Sequence, residues 1–285
     1  MELATNSEES YELKFLCSEF TFDTTIISQL NLPPNVKEII INLKYITFFD
    51  PFGIIFLDFF IKNLFKNYKV KVLLNNEVIN YLLRMNLCDS LKKYNNLIIE
   101  PDIFNISIYK RNLREYLLEL SEFEVNNDDE VNSVLERIIQ ITFPKIDFYN
   151  QIQDYFKEVI AELLSNIQCH SETNKAKMVI QSYSKLGNCI KIAIGDYGIG
   201  IKKSLEKIDY YLEDSEAILK AIEQGVSSLN YGGYGLPNIK DIILENNDKL
   251  CIRSGSGYYL LENKNERIGK CHYIPGTQIL LSLTI

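Results

Sequence analysis

The sequence is poor in features that would mark several protein classes. Its 285 residues hold six cysteines (Cys17, Cys88, Cys169, Cys189, Cys251 and Cys271) and no CxxC pair. Four of them sit inside apolar runs and read as small buried hydrophobes, so no disulfide framework is expected. Histidine is scarcer still. His170 and His272 each follow a cysteine, and their spacing matches no zinc signature. Positive charge is also short, because the net charge is −8. An acidic chain lacks the lysine and arginine excess that neutralises phosphates, so nucleic-acid binding is not expected. No long apolar run is uninterrupted. The strongest, "ITFFDPFGIIFLDFFIKNLF", is broken by Asp50, Pro51, Gly53 and Asp58, so no membrane span is expected. The start, "MELATNSEESYELKF", has neither a basic n-region nor an apolar h-region. A signal peptide is therefore not expected, and a cytoplasmic location is. There is no internal repeat and no low-complexity tract.

What is present is alternation of strands and helices. "YELKFLC", "VKEIIINLKYI" and "VKVLLN" read as strands, the second β-branched enough to be central. Between them "DPFGIIFLDFFIKNLFKN" has turn chemistry and then helical spacing, with Ile54, Leu57, Ile61 and Phe65 on one face. "NEVINYLLRMN" predicts a short helix capped by Asn76. This is the pattern of a small α/β sheet over residues 11–105, after a disordered 1–10. Residues 106–149 predict a helical connector, including a helix in "NLREYLLELSEF" and another in "VNSVLERIIQITF". From 150 to 285 a second domain is predicted. It starts with one long amphipathic helix, "FYNQIQDYFKEVIAELLSNIQCHS". Paired strands "AKMVIQSYS" and "NCIKIAIGD" follow, then a short helix at "DSEAILKAIEQG". A glycine loop, "NYGGYGLPNIKDII", enters a further helix, and "DKLCIRSGSGYYLLEN" and "TQILLSLTI" close the chain as strands. The fold class is α/β (α+β) in two domains.

Glu162 and Asn166 are four residues apart on the long helix, so they share a face about 6 Å apart along its axis. A carboxamide oxygen can ligate Mg²⁺, a hard ion that accepts neutral oxygens. A carboxylate beside it can polarise a water or hydroxyl that attacks a phosphate. The pair also fits an ordinary solvated stripe. "CIKIAIGDYGIGI" ends an apolar strand in Asp196 and carries Gly195, Gly198 and Gly200. A carboxylate at the end of a buried strand must find a donor. The exocyclic amine of adenine is one, whereas guanine offers an acceptor there. The glycines fit a backbone that approaches a base, or a loop that merely needs positive φ. "GGYGLPNI" places Gly232, Gly233 and Gly235 before a helix at about Leu236, and a helix N-terminus with free N–H groups suits a phosphate. A mobile hinge is the other reading.

The order of these stretches matters more than any one of them. Glu162…Asn166, "DYGIG", "GGYGLPNI" and Gly276–Thr277 together resemble the ATP-binding domain shared by histidine kinases, gyrase-type topoisomerases and the anti-sigma-factor serine kinases, the GHKL superfamily. The resemblance covers roughly residues 130–285. It implies a Bergerat α/β sandwich and the ligands ATP and Mg²⁺. Carried over residue by residue, it makes Glu162 the general base and Asn166 the Mg²⁺ ligand. Asp196 would bond adenine N6, with Gly198, Gly200 and Ile201 beside the base. Gly233, Gly235 and Leu236 would hold the triphosphate, residues 202–232 would form the lid, and Thr277 would help fix Asp196. "INLKYITFFDPFGIIFLDFFIKNL" looks like a STAS domain, the fold of anti-sigma-factor antagonists. The STAS turn usually carries a phosphorylatable hydroxyl, but here it is Asp50-Pro51-Phe52-Gly53 and has none.

Three functions follow from the resemblance. One is an ATP-binding or ATP-hydrolysing switch of a protein–protein interaction, with a protein partner or self-association through the STAS-like domain. Another is a serine/threonine protein kinase acting on a separate protein. The last is a nucleotide sensor without turnover. A conventional histidine kinase is disfavoured, because no histidine precedes His170. A DNA-topology enzyme is disfavoured because the chain has no room for a transducer domain.

Overall fold

The computed structural model describes all residues except 1, 8, 96, 104–116, 143–149, 184–188, 209, 224–225, 227–234 and 285. The protein is mixed α/β, with two five-stranded sheets. The first sheet has the order β1-β2-β4-β6-β7, from β1 (Glu2–Ser7), β2 (Ser10–Lys14), β4 (Glu38–Leu43), β6 (Lys69–Leu74) and β7 (Ile98–Glu100). It is parallel except for the β1–β2 pair. The second has the order β11-β12-β10-β9-β8 and is antiparallel throughout. Its strands are β8 (Leu117–Glu124), β9 (Lys175–Tyr183), β10 (Cys189–Asp196), β11 (Lys249–Glu262) and β12 (Asn265–Thr284). A two-residue parallel pair joins β3 (Glu19–Phe20) to β5 (Phe48–Phe49). α1 (Phe22–Thr25) follows β3.

One helix decides how the halves meet. α2 (Pro51–Leu64) starts where Asp50 caps it, its carboxylate accepting from Gly53 N at 2.9 Å, with Pro51 preset for the first turn. The expected single apolar face is only part of the truth. Twelve of its fourteen residues are buried, and a helix apolar all round must be covered on every side. α2 packs on β9, β10 and β12 of the second sheet and on β6 of the first. Val179, Ala193, Cys251, Leu260, Ile274 and Leu280 accordingly share one core with the N-terminal strands. Asp50 is buried and pairs with Lys191 of β10 at 3.2 Å, so the hydroxyl-free turn lies under the second sheet.

Asp58, the charge that interrupts the apolar run, has its reason here. It is 1% exposed and accepts from Lys177 of β9 at 2.6 Å and from Ser90 at 2.5 Å, while Lys177 also donates to Ser90 Oγ at 2.7 Å. Removing Asp58 takes away the closest partner of Lys177 and leaves that buried charge with only the Glu122 carboxylate, at 3.5 Å. Asp58→Ala is therefore expected to cost about 3–5 kcal/mol. Denaturant unfolding would read this, and Asp58→Leu combined with Lys177→Met should recover most of the loss.

Several expectations change. Residues 2–7, expected to be disordered, form β1 on the edge of the first sheet. The helix expected in "NLREYLLELSEF" gives way over 117–124 to β8, which pairs with β9. Its Leu/Glu composition suits a helix, but edge pairing buries Leu118 and Phe123 and outweighs local propensity. The cap of α3 (Asn76–Arg84) is Asn75, not Asn76. The last strand begins far earlier than expected, at Asn265, and forms a long hairpin with β11. α4 (Leu87–Leu91) lies between α3 and β7. Residues 105–110 ("NISIYK", whose pattern predicts a strand) and 186–188 ("LGN", whose composition predicts a turn) lie outside the described residues.

Candidate functional site

The other face of the second sheet is covered by α5 (Asp128–Thr142), α6 (Asn150–His170) and α9 (Gly235–Asn246), and by α7 (Gly200–Glu206) and α8 (Asp214–Ala221) at its β11–β12 side. Strand alternation sorts the residues. Ile190, Ile192 and Ile194 join the core under these helices, while Ala193 joins the core around α2. Asp196 continues the first set and so emerges beneath the helices. A cavity of about 260 Å³ opens there between α6, the end of β10, α7, the start of α9 and β12. Glu162, Asn166, Asp196, Gly200, Ile201, Gly235, Leu236 and Thr277 all line it. Gly198 stands just behind the wall, and Gly233 lies outside the described residues.

Asp196 is 3% exposed. Its Oδ1 accepts from Gly198 N at 2.7 Å. Burial pushes its pKa up to about 7, and the backbone N–H groups of Gly198 and Thr277 offset part of that rise. A second hydrogen-bond set braces the floor. Ser254 Oγ accepts from Ile201 N at 2.8 Å and lies 3.1 Å from Thr277 Oγ1. Gly276 has φ +83°, and a Cβ there would fall 2.1 Å from the Asp196 carbonyl oxygen, so only glycine fits.

Close packing also explains two of the expected glycines. A Cβ on Gly198 would lie 2.0 Å from the Ser171 carbonyl oxygen, which accepts from Ile199 N at 2.9 Å. Gly198 thus lets the loop seat on the end of α6. A Cβ on Gly235 would lie 1.7 Å from Glu162 Oε1. The first turn of α9 therefore rests directly on the Glu162 carboxylate. Burial, with Glu158 one turn away, raises the Glu162 pKa. Asn166 Nδ2 is buried without a hydrogen-bond partner. His170 also lines the cavity, and burial and then Lys207 hold its pKa down.

The segment expected as a lid is not a single loop. Within 202–232, α8 is fastened to β11 by Asp214, whose Oδ2 accepts from Ser256 N at 2.8 Å and from Ser256 Oγ at 2.6 Å. Among the described residues no group of three or more His, Cys, Asp or Glu side chains could hold a metal. Asn166 offers one neutral oxygen at the cavity, which fits an ion whose remaining ligands come from phosphates and water.

Sequence reasoning missed Ser254, Ser171 and Asp214. Ser254 sits in "RSGSG", where only the pairing of β11 with β12 puts it opposite Thr277. Ser171, just past α6, and Asp214, at the start of α8, meet Ile199 and Ser256, which are distant in sequence, and no local pattern marks these contacts. No protein-family model matches this chain, and no curated protein matches it in sequence.

Proposed function

We propose that this chain is an ATP-binding regulatory protein, with a C-terminal half of the GHKL type and an N-terminal half resembling STAS domains, in which nucleotide binding switches a protein–protein contact. The observation that carries the reading is one cavity. It gathers a buried carboxylate, Asp196, with Thr277 on its floor, and Glu162 and Asn166 on the facing helix. In this reading the Asp196 carboxylate accepts from the adenine amine, and the apolar wall of Ile201 and Leu236 flanks the base. The start of α9 receives phosphate oxygens. Mg²⁺, held by Asn166 and the phosphates, would neutralise phosphate charge. The elevated pKa of Glu162 suits a group that takes a proton from an attacking water.

The test is a time course with γ-phosphate-labelled ATP that counts free phosphate and protein-bound label together. Slow phosphate release is expected. Glu162→Gln should lower it about 100-fold or more while leaving nucleotide affinity within a few-fold. Label on a protein acceptor would favour the kinase reading instead. Absence of ATP binding at millimolar concentration would overturn both.

A further inference from the structure

The face of Tyr197 away from the cavity carries an unusual concentration of positive charge for so acidic a chain. Lys62 Nζ lies 3.9 Å from the centre of the Tyr197 ring, and Lys66 Nζ lies 4.9 Å from it. Lys93 Nζ stands 5.5 Å from the ring of Tyr94. The rings are fixed from behind. Tyr197 packs edge-on against Phe59 and donates to Asn63 Oδ1 at 3.3 Å, and Tyr94 packs on Phe65. Neighbouring lysines are all committed: Lys92 to Asp89 at 2.8 Å, Lys175 to Glu122 at 3.3 Å and Lys177 to Asp58 at 2.6 Å. Lys62, Lys66 and Lys93 make no ion pair among the described residues. Asp58 and Glu122 attract Lys62, and Glu122 attracts Lys93, but both carboxylates are held in direct ion pairs by Lys177 and Lys175.

We propose that Lys62, Lys66 and Lys93, gathered around Tyr197 and Tyr94 behind the Asp196 loop, form a binding site for a compact, multiply charged phosphate-class anion. Three ammonium groups without a direct ion pair, on α2 and just past the ends of α2 and α4, stand over two neighbouring tyrosine rings, and lysine acts there as a strongly hydrated point charge that suits phosphate oxygens. The Lys62 pKa is lowered by burial first and then by Lys93 and Lys177, which outweigh the opposite pull of Asp58 and Glu122. An anion opposes that lowering. The small extent of the patch and the net charge of −8 favour a compact anion over an extended nucleic acid. Tyr197 follows Asp196 directly, so an occupant here would bear on the loop that lines the cavity. The site does not depend on what the cavity binds.

The probe is inorganic pyrophosphate, titrated calorimetrically into the full chain at low ionic strength without magnesium. One saturable site with Kd below about 1 mM is expected, weakening as salt is raised. Lys66 and Lys93 are exposed, so Lys66→Glu and Lys93→Glu test the site without disturbing the half-buried Lys62. Each should weaken binding at least about 10-fold. Unchanged affinity in both variants would place the anion elsewhere, such as the start of α9, and overturn the proposal. Lack of saturable binding would also overturn it. So would binding of a hexaglutamate peptide where pyrophosphate fails, which would mark the patch as a dock for an acidic protein segment.

Discussion

Asp196→Asn is expected to stabilise the nucleotide-free protein and, on the proposed ATP-binding reading, to weaken adenine-nucleotide binding about 100-fold. The native carboxyl titrates near 7 against 3.8 for an ordinary aspartate. The folded state thus binds this proton more tightly than the unfolded state. The protein is hurt least by the group at pH 4, and stability drains away as pH rises from about 4 to about 7. Three pKa units correspond to about 4 kcal/mol at pH 8. Asparagine stays neutral and its Oδ1 can still accept from Gly198 N, so it should recover up to that amount at pH 8 and almost nothing at pH 4. Denaturant unfolding of both proteins at the two pH values would measure this. For the nucleotide, asparagine would present an amide N–H toward the adenine amine, donor against donor. A loss of about 100-fold in affinity is expected, about 2.7 kcal/mol. Affinity of the native protein should rise through pH 7 as Asp196 ionises. A variant that is less stable at pH 8 would mean that Asp196 is held for structure, and the adenine-site reading would lose its centre.

A chain that begins at residue 105 is expected not to fold. It would retain every residue of the cavity but lose α2. Val179, Ala193, Cys251, Leu260, Ile274 and Leu280 would then face water, together with Lys177 and Arg253. Six apolar side chains at roughly 2 kcal/mol each amount to about 12 kcal/mol, comparable with the whole stability of a domain. Arg253 would lose the Thr25 carbonyl oxygen, which accepts from it at 3.0 Å, and the Phe56 ring 5.0 Å away. Insoluble expression, or a soluble product without a cooperative thermal transition, is the expected outcome. A monomeric fragment with a sharp melt would show that the second sheet does not need α2.

The residues that line the cavity were legible in the sequence because they are marked by short, local signals. Helical periodicity alone put Glu162 and Asn166 on one face, and strand alternation put Asp196 at the end of a buried run. The glycines of "DYGIG" and "GGYGLPNI" announced places where backbone must approach something closely. What they approach was not legible. Gly198 meets the Ser171 carbonyl and Gly235 meets Glu162, contacts made by residues 27 and 73 positions away.

β8 shows the same limit from the other side. A leucine and glutamate stretch has the composition of a helix, and only pairing with β9 makes it a strand. By itself, then, the sequence determined the alternation of elements, the helix that offers Glu162 and Asn166, and the buried acid on β10. The tertiary structure alone decided that α2 belongs to both sheets. An all-round apolar helix states that it must be covered but not by what, because burial is satisfied by any apolar surface and carries no address. The address comes from directional groups, Asp50 with Lys191 and Asp58 with Lys177 and Ser90, whose partners meet only when the chain has folded.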